Sequence, residues 1–543
     1  MSIYHRSIWR RSSNRLRQSE VWLEYLCGIG LFIAALILFL VNLSALPLID
    51  YQEATFAAVA KGIHQSSDLI DWIFPSLWNE PYLDKPPLIH ILIAIAYRIG
   101  GVNEFTTRFP GALLGAFSVL LLYQIGREIF VTRLPALFSA LVYLTCLPVV
   151  RYSRLATSDG PLLCFQLLTV WAVLRSRRNL KWALGTGIGF GLMSLTQSWF
   201  SLQFLSLLLI FLLWDTPRLL SSAFFWAGLL IGAMPSFAWY MGLFVYYRTT
   251  GLISLSLTPN EPSTQGSLSL DYYFLLGVQY LVPWLAIAFA GLKPLRHNLQ
   301  WGWAKLLAVW IGGYLIFALL LHEGNFWLVV PLYPGLALAT GKQLDCIRNL
   351  PSFMTYPPFL RYYFALMAVI AAFFGINWGF YNYTDSYLPF ICGSLCITFS
   401  ATAIFIAQRD QQFISLLFWG LLVSIFLFVV SPHWIWELKA TPAIKPVAAS
   451  IKQHTPPQAI IYASSAIARP SLSFYSERQI LVRSAAELQA QWQQENMVYL
   501  LIESQTAQKL NLAEAVVVKD KRLDSLGWVL AIKNSSSVLA DIF

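Results

Sequence analysis

The sequence predicts a mainly α-helical, polytopic membrane bundle with a small α/β domain toward its C-terminal end. Three observations predict it. Hydrophobic residues are 57% of the 543 and charged residues 12%, about half the charge of an ordinary soluble domain, and mean hydropathy is +0.59. The apolar residues gather into runs long enough to cross a hydrocarbon core of about 30 Å. Beyond Pro432 those runs stop, and short strand-like segments alternate with polar helical ones.

The first run, within about 24–44, contains CGIGLFIAALILFLVNL and follows Arg6, Arg10, Arg11, Arg15 and Arg17. A basic head before an apolar stretch also describes a cleaved signal. The length of this run and the further spans after it favour an uncleaved anchor. Candidate crossings follow near 110–130, 134–150, 161–174, 182–196, 199–214 and 220–246, then near 273–291, 303–321, 326–341, 362–381, 387–407 and 412–431. That makes about thirteen transmembrane helices. The run LIHILIAIAYRI, from Leu88 to Ile99, has only a dozen residues and includes His90 and Arg98. It suits a re-entrant or interfacial helix better than a full span.

Charge tests this count. With 88–99 not crossing and the N-terminus cytoplasmic, Arg127 and Arg133, Arg175 to Lys181, Lys293 and Arg296, and Lys342 and Arg348 all fall in cytoplasmic loops, as the positive-inside tendency requires. The odd number of spans then puts the C-terminal domain, 432–543, on the non-cytoplasmic side. The net charge of +10 sits in these short clusters and forms no nucleic-acid-binding face. The six cysteines lie in or beside spans or cytoplasmic loops, without metal-site spacing, and read as buried thiols.

The bundle domain, 1–431, therefore carries a long outer loop over 45–109. This loop places Asp50, Glu53, Asp84 and Lys85 among Trp72, Trp78 and Tyr82. A second outer segment, RYSRLATSDGP, holds Arg151, Arg154 and Asp159. A third, from about 247 to 272, is rich in Ser, Thr and Pro. In the C-terminal domain, AIIYASS, QILVRS, MVYLLIES and AVVVKD read as strands and AAELQAQWQQE as a helix. The domain has no phosphate loop, metal cluster or nucleophile motif, which favours a structural or acceptor-binding role.

Carboxylates beside cations at the face of an apolar bundle suit chemistry on a lipid-linked phosphate. A carboxylate deprotonates a hydroxyl or holds a divalent cation, and a cation neutralises the phosphate. Asp159 with Arg154, and Asp84 with Lys85 before Pro86 and Pro87, are two such pairs. Interfacial ion pairs that merely mark loop ends have the same spacing, so spacing alone does not choose.

The stretch NEPYLDKPPLIHILIAIAYRIGGVNEFTTRFPGALLG resembles the GT-C membrane glycosyltransferases, in the branch of protein O-mannosyltransferases and lipid A aminoarabinose transferases. Tyr82, Asp84, Lys85, Pro86, Pro87, Glu104, Phe105, Arg108 and Pro110 fall on that family's pattern. RLATSDGPLL resembles its second-loop stretch, with Asp159 on the acidic position, and FWLVVPLYPGLALATG a later segment. The resemblance implies a GT-C-like bundle that moves a sugar from a polyprenyl-phosphate carrier to a lipid, glycan or protein acceptor on the outer face. It implies a bacterial inner membrane with the C-terminal domain on the periplasmic side.

By the same resemblance Lys85 contacts the carrier phosphate, with Tyr82 beside it, and Asp84 takes part in binding a divalent metal cation. Asp159 helps position acceptor or sugar, with Arg154 as its electrostatic partner. Where the family has an Asp-Glu-x-Arg motif, this chain has Gln52, Glu53, Ala54 and Thr55, and Gln197 stands where a lysine is expected. Glu53, or Asp50 just upstream, takes the base role, while Gln52 and Gln197 are neutral members of the substrate site. Two alternatives follow. One is a catalytically degenerate relative that binds lipid-linked glycan or a partner. The other is a transporter or flippase, which calls for paired, interrupted spans related by a repeat. No repeat is visible in the sequence.

Overall fold

The computed structural model of the chain describes residues 3–78, 80–247, 281–320, 329–351, 355–381, 387–436, 438, 443–457, 459–465, 467–494, 497–510, 515–518, 520–524 and 526–533. The third outer segment lies outside the described residues, apart from its first residue. Two compact units emerge. The bundle unit is 1–43, 83–89 and 108–434; the second is 44–82, 90–107 and 435–543.

Among the described residues, eight helices of the bundle chain are long and apolar enough to cross a membrane: Val21–Leu40, Glu104–Ile129, Ser198–Asp215, Ala223–Tyr247, Gly302–Leu319, Pro358–Gly379, Tyr387–Ala407 and Gln412–Val430. A ninth candidate is broken, its halves Arg133–Leu144 and Leu147–Arg154 meeting at 60°. The remaining expected spans appear as helices Asp159–Ser176, Ala183–Ser194, Leu285–His297 and Tyr333–Arg348. The last two begin close to residues outside the description. Leu88–Gly100 forms a helix of 13 residues, too short to span.

Small residues let these helices approach. A Cβ on Gly187 would lie 1.7 Å from the carbonyl oxygen of Gly228, and one on Gly232 would lie 1.9 Å from that of Gly187. Gly187 and Gly191 thus face Gly228 and Gly232, two small-xxx-small pairs closing one helix crossing backbone to backbone. A Cβ on Gly341, in the PLYPGLALATG segment, would lie 2.5 Å from the backbone nitrogen of Ser139.

The two ends of the bundle differ in chemistry. At one end Glu128 holds Arg175 at 3.1 Å and Arg178 at 2.9 Å, Asp215 pairs with Arg177 and Lys305, and Glu24 pairs with Arg127. At the other end lie the starts of helices Asp159–Ser176 and Ser198–Asp215. Four basic positions that the sequence assigns to cytoplasmic loops, Arg127, Arg175, Arg177 and Arg178, thus share one end, with Asp159 and Gln197 at the opposite one.

In the second unit, residues 44–82 and 90–107 of the first loop pack with the C-terminal domain. The domain holds five strands: β1 Ile460–Ala463, β2 Gln479–Val482, β3 Val498–Glu503, β4 Ala515–Val517 and β5 Trp528–Lys533. Their order is β2-β1-β3-β5-β4. β1 pairs parallel with β2 and β3, while β5 runs antiparallel to β3 and β4. The four expected strands and the helix Ala485–Gln494 are present. The sequence reading missed β5, WVLAIK, although Gly527 just before it, at φ +69°, marks the turn that an L side chain resists. Alternate residues of β1 and β3 feed separate cores on the two faces: Ile461, Ala463, Tyr499 and Leu501 on one, Tyr462, Val498, Leu500 and Ile502 on the other.

Candidate active site

The bundle unit contributes a buried polar cluster at its second end. Asp159 opens helix Asp159–Ser176 and is 4% exposed, and its Oδ2 accepts from the Thr157 hydroxyl at 2.9 Å. The preceding Ser158 donates its hydroxyl to Gln197 Oε1 at 3.3 Å. Ser158 and Gln197 are the N-caps of two helices, so two positive helix ends converge beside Asp159, which favours bound negative charge. Lys85 is half-buried and Asp84 exposed, and both belong to this unit.

Arg154 does something different from what its spacing suggests. It is fully buried, and it donates to Leu38 O at 2.7 Å, Phe39 O at 3.3 Å and Val429 O at 3.4 Å. Its guanidinium lies 4.4 Å from the Trp434 ring, with Arg108 at 5.3 Å from the same ring. Those carbonyls end two helices, Ile3–Leu40 and Gln412–Val430, and have no intrahelical donor. Arg154 is thus a clamp on helix ends, and its two terminal nitrogens donate to carbonyls rather than to Asp159. Arg108 works alongside it, donating to Leu43 O at 2.9 Å.

In the second unit the first-loop carboxylates separate by environment. Asp50 Oδ1 accepts from the Ser471 N–H at 3.2 Å and from the Ser471 hydroxyl, while Oδ2 accepts from Arg469 at 3.3 Å. Glu53 is fully buried, and its Oε2 accepts from the Ile49 N–H at 3.0 Å. Gln52 is half-buried between them. Tyr82, 8% exposed, sets its ring edge-on to His90 at 5.2 Å, and His90 stacks on Phe56 at 4.9 Å. The Tyr82 ring is therefore part of the loop's own core.

Further ties hold the loop to the domain. The Tyr475 hydroxyl accepts from Leu48 N at 2.9 Å and donates to Glu104 at 3.0 Å, and Lys445 pairs with Glu104. Glu477 bridges Lys61 at 3.1 Å and Lys452 at 2.7 Å, and Phe474 packs against Leu48, Ala54 and Ala57. Sequence reasoning missed these contacts, because nothing local marks a partner some 340–430 residues away.

A divalent cation finds little here. Among the described residues no three His, Cys, Asp or Glu side chains converge, and Asp84 is exposed. Among the described residues, protein ligands alone do not form a three-ligand site.

Comparison with known proteins agrees with this architecture. Residues 84–241 match the family model described as dolichyl-phosphate-mannose-protein mannosyltransferase. ArnT from Cupriavidus metallidurans, in the apo state, superposes with a TM-score of 0.74 at 16% identity, covering 93% of this chain and 97% of that one. A protein of Aquifex aeolicus is 24% identical over 58% of this chain and 63% of its own length. The undecaprenyl phosphate-alpha-4-amino-4-deoxy-L-arabinose arabinosyl transferase 2 of Pseudomonas fluorescens is 30% identical over 31% of each chain. The match thus spans less than two thirds of either relative. The fold is that of the GT-C membrane proteins. The partial family match and the relatives agree with the resemblance to the aminoarabinose transferases and protein mannosyltransferases.

Proposed function

We propose that this protein is an inverting membrane glycosyltransferase that moves a sugar from a polyprenyl-phosphate carrier to a lipid, glycan or protein hydroxyl. The reaction takes place on the non-cytoplasmic face of a bacterial inner membrane, the side proposed for the first loop and the C-terminal domain, and the N-terminus is cytoplasmic. The observation that supports this most is that the mannosyltransferase match over 84–241 contains Lys85, Asp159 and Gln197, on a fold shared with ArnT across 93% of the chain. A second structure of ArnT holds undecaprenyl phosphate, the class of carrier proposed here.

In this reading Glu53 is the general base, because both oxygens of Asp50 are committed to Ser471 and Arg469. The acceptor oxygen bonds to the anomeric carbon as the carbon–phosphate-oxygen bond breaks. The hydroxyl proton passes to the Glu53 carboxylate, and polyprenyl phosphate leaves with the electron pair. Lys85 neutralises that phosphate in binding and departure, with Gln197 as a neutral hydrogen-bonding neighbour. Asp159 positions acceptor or sugar. Asp50 holds the loop, and Arg154 holds two helix ends within the bundle unit. The resemblance also assigns Asp84 to a divalent cation, but no step here passes through one.

Purified protein supplied with polyprenyl-phosphate sugars, with and without a divalent cation, tests this. Loss of lipid-bound sugar to an acceptor is expected. Carrier binding without transfer supports the second reading, a degenerate binder, which the neutral residues Gln52, Thr55 and Gln197 favour.

A further inference from the structure

Helices Pro358–Tyr381 and Tyr387–Ala407 form an antiparallel hairpin. Between them runs an open furrow of about 530 Å³, floored by small side chains that include Ala365, Ala372, Cys396 and Ser400, with Arg361 and Gln408 at one mouth. From Arg361 to Ala372 the furrow follows one helix for roughly 16 Å at 1.5 Å per residue. Alanine, serine and cysteine leave a trough where larger residues would have filled the seam, and exposed Val369 and Ile404 form its rims.

Charge says what covers it. Arg361 is exposed and makes no ion pair among the described residues. Its guanidinium lies 5.9 Å from the centre of the Tyr362 ring. Arg409 lies exposed in the turn that follows Gln408. A second apolar helix laid in the furrow would carry Arg361 into low dielectric without an acid, at high cost. An acyl chain in the trough with a phosphate at its mouth meets both demands. We propose that this furrow is a binding site for an anionic phospholipid, its chain along Ala365–Ala372 and its phosphate on Arg361. The proposal requires only that the two helices cross a membrane and is independent of sugar transfer.

Native mass spectrometry of the full chain, purified with equimolar phosphatidylglycerol and phosphatidylcholine, tests it. Phosphatidylglycerol should be retained in preference. Arg361→Ala should lower its occupancy about tenfold, the loss of one charge-assisted contact, and Arg361→Lys should restore part. Ala365→Phe, at an exposed position that leaves the bundle interior untouched, should expel the lipid by filling the trough. Equal retention of the two lipids, or retention unchanged in Arg361→Ala, overturns the proposal. So does a dimer that disappears in Ala365→Phe, because a second copy would then be the occupant.

Discussion

Asp50 and Ser471 lie 421 residues apart in the chain, yet the Asp50 carboxylate accepts both the N–H and the hydroxyl of Ser471. This contact, with Arg469 on the other carboxylate oxygen, pins the first loop to the α/β domain. It gives that domain a physical role in holding the loop.

Asp50→Asn should therefore act as a stability and docking variant. Losing the charge at a partly buried, hydrogen-bonded site costs about 1–3 kcal/mol, read as a lower unfolding temperature and faster proteolysis of the first loop. Ser471→Ala should share the phenotype, and the double variant should be less than additive. A normal unfolding temperature with abolished transfer in Asp50→Asn would instead make Asp50 the base.

Arg154→Met should unfold the bundle more readily, by about 3 kcal/mol or more, because carbonyls of two helix ends lose their donor away from water. Arg154→Lys keeps the charge but not the planar fork and should recover part of the loss. Thermal unfolding in detergent measures both. Carrier affinity per folded molecule should stay unchanged.

Even one methyl group is too much at the tightest crossing. Gly187→Ala puts a Cβ against the Gly228 carbonyl and should cost on the order of 1–3 kcal/mol as the helices part. Gly30→Ala is the control, since nothing lies within 4 Å of its Cβ position. It should be neutral or slightly stabilising.

Acid should loosen the loop clamp. The hydrogen bond from Lys452 to Glu477 holds that carboxyl below its usual 4.5. The Lys61 bond and the charges of both lysines add to this, against a smaller opposing effect of burial. A depressed carboxylate contributes stability that is fully present above the unfolded-state value and is lost as pH falls through the lower folded value. Hydrogen exchange in Ala54–Gln65 should accordingly speed up below about pH 4.5. Glu477→Gln should remove that part of the pH dependence. The effect is small, because Glu477 is 45% exposed.

Lys85→Ala should weaken polyprenyl-phosphate binding roughly ten- to hundredfold, the worth of a charge-assisted phosphate contact, and Lys85→Arg should keep part of it. Carrier affinity measured for both variants decides this. An unchanged value in Lys85→Ala means Lys85 serves only a surface ion pair.

The sequence by itself determined the membrane bundle, the non-spanning helix at 88–100 and four of the five strands. Each depends on hydrophobic run length or alternation within a dozen or so neighbouring residues, and the solvent imposes that pattern locally. Motif position singles out Asp84, Lys85 and Asp159 only as candidates. Only the tertiary structure decided what the charged side chains do. Asp50 and Glu53, three residues apart, differ because one meets Ser471 and Arg469 while the other is enclosed within its own loop. Arg154, five residues before Asp159, turns to carbonyls on helices that end at Leu40 and Val430. A buried charge takes whatever donors or acceptors the chain's path brings to it, and that path is set by packing over hundreds of residues.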